Sequence, residues 1–153
     1  MKKLIAICCL LLASLSQFVM ASDKGSADEA VALVKKAGAY MKEHGKEKLL
    51  TEINNVAPAF VSKDLYLFAY AVSGDGINLA HGANKKMIGK NMLDLRDADG
   101  VYIVKKFLEA ANGKAGNGWV DYKWTNPKTG ALEAKSTYIE RFGDILIGCG
   151  IYK

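Results

Sequence analysis

From Gly118 to Tyr152, apolar and aromatic runs follow one another with only Asn126-Pro127-Lys128-Thr129-Gly130 and Gly143-Asp144 between them. Parallel strands need a crossover of a dozen or more residues, so runs joined this tightly can only pair antiparallel. Alternation along the first strand sends Tyr122 and Trp124 to one face and Asp121 and Lys123 to the other, and the returning strand brings Lys135 or Tyr138 alongside. Aromatic walls with a few polar groups are the material of a small-ligand pocket, and the same rings can fill an ordinary core. Both readings are open from this stretch alone.

The upstream chain supplies more of the same sheet. Leu65 to Val72 is an aromatic-rich run of period two that puts Tyr66, Phe68 and Tyr70 on one face, and it ends in Ser73-Gly74-Asp75-Gly76. Asp-Gly is a strong hairpin signal, which makes Ile77 to His81 the returning strand and brings the total to about five strands. Ahead of them, Ser26-Ala27-Asp28-Glu29 reads as a capping box, followed by Ala30, Val31, Leu33, Val34, Ala37, Tyr40 and Met41 at helical spacing. Gly45 ends that helix, and a second helical pattern runs from Leu49 to Phe60, interrupted by Pro58. Gly82 to Gly100 is a long irregular piece, and Val101 to Ala111 returns to helical spacing until Asn112-Gly113 closes it. The fold class is therefore α+β: a long N-terminal helix packed on an antiparallel sheet.

The first residues stand apart from this pattern. Lys2 and Lys3, the apolar run Leu4 to Leu15 and the small residues around Ala21 describe a secretory signal peptide over 1–21, which leaves 22–153 as one domain, exported to the periplasm. No later segment approaches the roughly 20 apolar residues of a membrane span, so stable membrane insertion is not expected. The two leader lysines account for two of the formal charge of +5, leaving +3 spread in lysine pairs with acids or apolar residues nearby. Such a surface lacks the continuous basic stripe that binds nucleic acid. Of the three cysteines only Cys149 lies outside the leader, in the apolar run Ile145 to Ile151, where a small buried core residue fits better than a nucleophile.

Motifs for chemistry are mostly missing. Gly89-Lys90 is not followed by Ser or Thr and lacks the spacing of a phosphate loop. Asp94, Asp97 and Asp99-Gly100 are out of register with a calcium loop. There is no haem attachment motif, no Gly-x-Ser-x-Gly, and neither His44 nor His81 has ligands at zinc spacing, so no metal, no cofactor and no enzymatic activity are expected. Two residues keep two readings each. His81 closes a strand beside Tyr66, Phe68 and Tyr70, where it can donate to a carboxylate or stand as a satisfied edge histidine. Lys135 can meet an anion as a point charge or point to solvent.

In its order of elements the sequence resembles the single-Cache family of PAS-like extracytoplasmic sensor domains. The resemblance is carried by Tyr66-Leu-Phe-Ala-Tyr70, Gly74-Asp-Gly76 leading to Leu79-Ala-His81, Ile88-Gly-Lys-Asn91 with Asp94-Leu-Arg-Asp97, Gly118 to Trp124 with Asn126-Pro127 and Thr129-Gly130, Lys135-Ser-Thr-Tyr138, and Ile147 to Tyr152. It covers the chain from the first helix to the C-terminus. The resemblance implies a sheet with a small-ligand pocket on one face, sensing organic acids such as acetate, lactate, pyruvate or propionate. It nominates Tyr66, Phe68, Tyr70, His81, Tyr122, Trp124, Lys135 and Tyr138 as pocket residues. In that division the tyrosine hydroxyls, His81 and Lys135 bind a carboxylate, while Phe68 and Trp124 limit the tail. Gly82 stands where the family often has Pro, and Cys149 where Ser or Thr is common.

Because the sequence ends at Lys153 without the membrane helices and cytoplasmic domains such sensors usually carry, the expectation is a free-standing exported form. It would bind a small organic acid and signal through a separate membrane receptor, kinase or transporter. The rival expectation is a ligandless interaction module that uses the exposed face of its N-terminal helix for homodimerisation or docking. The two differ in whether Tyr66, Tyr122 and Trp124 leave a cavity beneath the Gly82 to Gly100 segment.

Overall fold

The computed structural model describes residues 23–153, so the signal peptide expected over 1–21 lies outside the described residues. Helix α1 (Ala27–His44) starts at the capping box: Glu29 N–H donates to Ser26 Oγ at 3.2 Å, and Ser26 N–H donates to Glu29 Oε2 at 2.8 Å. Gly45, at φ 87°, ends it in a conformation that few other residues adopt without strain, and α2 (Lys46–Asn54) begins at once. The helical pattern expected to reach Phe60 stops at Asn54. Ahead of Pro58, Ala57 is held extended at ψ 135°, and Pro58–Phe60 forms a separate 3₁₀ turn.

Six strands follow rather than five: β1 (Val61–Ser62), β2 (Leu65–Ala71), β3 (Asn78–His81), β4 (Asn117–Thr125), β5 (Leu132–Phe142) and β6 (Ile145–Tyr152). The extra one, β1, is a two-residue edge piece with no turn signal or alternation long enough to read. The sheet order is β1-β2-β6-β5-β4, with β3 also paired to β2, and every pairing is antiparallel. C-terminal strand β6 thus sits in the middle, between β2 and β5.

Period-two alternation divides the molecule into two layers. Leu65, Leu67 and Ala69 of β2 with Ile145, Ile147 and Cys149 of β6 face α1 and α2, forming one core. Tyr66, Phe68 and Tyr70, with Leu146, Ile139, Val120 and Tyr122, face the other way against α3 (Ile103–Asn112), which buries Ile103, Val104, Phe107 and Leu108 there. The segment between β3 and α3 is anchored rather than loose. Asn78 and the 87–90 stretch exchange Asn78 N–H to Lys90 O and Gly89 N–H to Asn78 O, Ile77 bridges Asn91, and Asp97 Oδ1 accepts from both Asp99 and Val101 N–H. The other oxygen of Asp97 accepts from Lys123 N–H at 2.8 Å and ties the segment to β4. Of the acids that fall out of calcium-loop register, Asp97 is therefore a loop staple, while Asp94 and Asp99 make exposed pairs with Lys105 and Lys123, and among the described residues no cluster of His, Cys, Asp or Glu could hold a metal.

Two glycines in β6 set the spacing of the second layer. A Cβ on Gly148 would lie 2.4 Å from the Phe68 ring and 2.8 Å from Ile139, and one on Gly150 would lie 2.3 Å from Thr137 Oγ1 and 2.4 Å from Lys135 Cε. Large side chains from both neighbouring strands lie across the bare backbone. Gly148→Ala is expected to lower stability by about 1–3 kcal/mol through overpacking against the Phe68 ring and Ile139. Urea denaturation with an unchanged midpoint would refute it.

Candidate functional site

Cross-strand partners in a sheet share a face, so the register determines which side chains meet. Phe68 pairs with His81 across β2 and β3, which puts the imidazole on the face of Tyr66, Phe68 and Tyr70. On the other side of the sheet, Lys135 pairs with Tyr122 of β4 and with Tyr152 of β6, making a row of ring, ammonium and ring. These two groups converge under α3 and the 82–102 segment. Tyr66, Phe68, Tyr70, His81, Tyr122, Trp124 and Lys135 line one cavity with Met87, Leu95, Ile103 and Phe107. Its free volume is about 20 Å³, space for one or two waters. Tyr122 and Trp124 meet edge to face with ring centroids 6.2 Å apart, and the small cavity remains between this pair and Tyr66.

Lys135 is 1% exposed and points inward, not to solvent. Its ammonium donates to Tyr66 Oη at 2.6 Å and to Tyr152 Oη at 3.4 Å, and lies 4.2 Å and 4.7 Å from the centroids of the same two rings. Cation–π attraction and two hydrogen bonds to neutral phenols hold it. Among the described residues no carboxylate comes within ion-pairing distance of it. Burial accordingly brings its pKa down to about 7, against the opposing pull of Cys149 and Asp64.

His81 is buried too, and its tautomer follows from its contacts. Nδ1 accepts from the N–H groups of Ala83 at 3.2 Å and Asn84 at 3.0 Å, so the ring proton sits on Nε2, which has no acceptor among the described residues. Burial and then Lys135 lower the His81 pKa to about 4, leaving a neutral donor at ordinary pH. The strand itself is fixed by Asn54 of α2, whose Oδ1 accepts from His81 N–H at 3.0 Å. Gly82 N–H donates to Leu67 O at 2.8 Å, a bond that a proline here would forfeit. Burial also raises the phenols: Tyr70 to about 12, and Tyr66 and Tyr122 well above their ordinary values. Tyr122 Oη is spent on Thr137 Oγ1 at 2.9 Å.

Tyr138 is the nominated residue that the structure puts elsewhere. Three positions separate it from Lys135, and an odd spacing along a strand places two side chains on opposite faces. Tyr138 packs in the α1 layer, its ring 5.5 Å from that of Trp119 and its hydroxyl donating to Glu140 at 2.8 Å. The alternation that puts Tyr122 and Trp124 on one face of β4 places Lys135, the partner of Tyr122, on that face of β5 and Tyr138 on the other. Residues beyond the nominated eight also build the site: Met87, Leu95, Ile103 and Phe107 line the cavity, and Tyr152 and Gly150 shape its Lys135 end. Tyr152 contributes a hydroxyl that contacts Lys135, Tyr66 at 3.3 Å and Thr125 O at 3.2 Å; Phe107 stacks on Phe68 at 5.3 Å; Gly150 clears room for the Lys135 stem. The pattern Gly148-x-Gly150-x-Tyr152, one face of a central strand bare and then aromatic, is the signal that could have found two of them.

Both buried bases refuse protons in the folded state that the unfolded chain accepts. For His81 the window runs from its ordinary 6.5 down to about 4, so stability is lost on acidification across it. For Lys135 it runs from about 7 to 10.5, so stability rises as the solution is made alkaline. In urea midpoints across pH, His81→Gln should flatten the acidic slope and Lys135→Met the alkaline one. A wild-type-minus-variant difference independent of pH would contradict the burial of the corresponding group.

The shape has known counterparts. A methyl-accepting chemotaxis protein from Vibrio parahaemolyticus superposes with a TM-score of 0.70 at 25% identity, over 82% of this chain and 86% of that one. A Cache chemosensory domain solved to explain carboxylic acid recognition also gives 0.70, at 20% identity over 82% and 91% of the two chains. In sequence, 92 residues are 35% identical to the sensor histidine kinase MctS of Rhizobium johnstonii, 59% of this chain and 19% of that protein. The chain thus spans about a fifth of the length of that relative. The Cache domain model matches residues 24–153, all but the first of the residues described structurally, and the chain belongs to the Cache domain family of sensor domains.

Proposed function

We propose that this domain is an extracytoplasmic sensor that binds a short-chain carboxylate in the cavity beneath α3. The carrying observation is the ammonium of Lys135, buried beside a cavity and without a carboxylate partner among the described residues. A buried cation of this kind is costly unless an anion joins it. A ligand carboxylate would accept from Lys135 Nζ and from His81 Nε2–H, with Tyr66 and Tyr152 holding the ammonium in place. Its tail would lie against Phe68, Ile103 and Phe107, with Trp124 limiting length. About 20 Å³ of free space favours the smallest acids. Carboxylic acid recognition by a domain of the same shape supports this reading.

Such a domain reports through another element of the membrane, a receptor, kinase or transporter. Helix α1 leaves Ala32, Lys35, Ala39 and Lys42 exposed, and we place homodimerisation or docking on that face.

Calorimetry and thermal shift with C2 to C4 monocarboxylates test the reading. At least one acid should bind at millimolar concentration or below and raise Tm by mass action. Lys135→Met should weaken it at least about 100-fold, in line with a lost charge-assisted pair, while Trp119→Ala on the opposite layer should bind as wild type. No response to any of these acids, or unchanged binding by Lys135→Met, would overturn it.

A further inference from the structure

We propose that the site takes up a proton from solvent along with the ligand, so that it binds a monocarboxylate anion and one proton together, the proton ending on Lys135. This deepens the carboxylate reading and rests on it. Such a step follows from the surroundings of the ammonium, which among the described residues has no paired carboxylate and no anionic side chain lining its cavity. Tyr66 approaches it from β2 and Tyr152 from β6, both as neutral hydroxyls. His81 from β3 and Tyr122 from β4 face the same cavity, and Met87, Leu95, Ile103 and Phe107 close it with uncharged side chains.

The remaining charges nearby are committed elsewhere or buried neutral. Asp64, before β2, accepts from Gly25 N–H at 2.6 Å and acts on Lys135 only from beyond ion-pairing distance, a pull that burial outweighs. Cys149 of β6 is held as a thiol, its pKa pushed up to about 12 by burial. On the outer side of β4 and β5, Asp121 pairs with Lys153 at 3.0 Å and Asp99 with Lys123 at 2.9 Å, while Asp97 is bound by backbone N–H groups. No carboxylate among the described residues is therefore positioned to keep Lys135 charged when the cavity holds no anion. A pKa lowered by burial to about 7 agrees with this, and an arriving carboxylate at hydrogen-bond distance would restore the charged form. His81, with its pKa near 4, stays neutral throughout and does not compete for the proton.

The same inventory limits ligand charge. The cavity holds one titratable amine and no second cation, so a dicarboxylate would bury an unpaired anion.

Proton uptake is read by titrating the acid that binds most tightly into the intact domain in phosphate and in Tris, whose ionisation enthalpies differ. Close to one proton per acid bound is expected at pH 8.5 and close to none at pH 6, with affinity falling about tenfold per pH unit above pH 8. His81→Gln should keep the uptake. Equal enthalpies in both buffers with affinity flat from pH 6 to 9 would overturn the proposal while leaving carboxylate binding intact. Loss of uptake in His81→Gln would move the proton to the histidine and overturn it as well. Failure of every monocarboxylate to bind would overturn the carboxylate reading itself, and this inference with it.

Discussion

The Lys135 amine sits within a sheet among tyrosine rings and has no paired carboxylate among the described residues, and the pocket side of the structure is arranged around that fact. Burying an ammonium without a partner carboxylate costs several kcal/mol even in a relaxed interior. Two phenols within hydrogen-bonding distance and two ring faces return part of that cost. They can do so because Gly150 lets the lysine stem cross the central strand, and because antiparallel register brings Tyr122 and Tyr152 to either side of it. Had the cross-strand neighbour been an acid, the lysine would be satisfied and the cavity would have no reason to accept an anion.

The neighbouring histidine solves a complementary problem. A donor is useful next to an anion only if it keeps its proton and does not add a second buried charge. Backbone N–H groups of Ala83 and Asn84 occupy Nδ1, which leaves the proton on Nε2 and the ring uncharged. The tight turn after β3 that supplies those amides is in turn held by Gly82 N–H on Leu67 O and by Asn54 from α2. The tautomer is thus fixed by the helix layer behind the sheet as much as by the strand that carries the ring.

Much of this was legible from residue order and some was not, for reasons that are physical. The capping box at Ser26, the Gly45 stop, the Asp75-Gly76 hairpin and the antiparallel run to Tyr152 are local signals, and local signals survive folding. Seven of the eight nominated residues meet at one cavity, because period two fixes faces within a strand and short turns fix register between strands. Tyr138 was misplaced by the same rule, applied within β4 but not along β5. Tyr152 and Gly150 were missed because their role exists only once β6 lies between β2 and β5, a placement set by long-range pairing that no window of sequence contains. Buried charge is similarly invisible in advance: nothing local distinguishes Lys135 from the lysines that point to water.

Central placement of β6 also bears on how occupancy could be felt beyond the cavity. Tyr152 contacts the ammonium and Tyr66, and its hydroxyl donates to Thr125 O at the start of the β4–β5 turn, while the next residue, Lys153, donates its N–H to Ala134 O. If the proposed carboxylate draws the ammonium toward itself, the weaker of the two phenol contacts, the 3.4 Å one to Tyr152, is the first to lengthen. The phenol so released belongs to the strand that joins both halves of the sheet. Because the opposite face of that strand packs through Ile145, Ile147 and Cys149 against α1, a shift in β6 is shared with the long helix rather than absorbed by a loop. Interiors packed this closely transmit displacement instead of damping it. In this fold the Lys135 ammonium, the central strand and the N-terminal helix are therefore successive parts of one contact path.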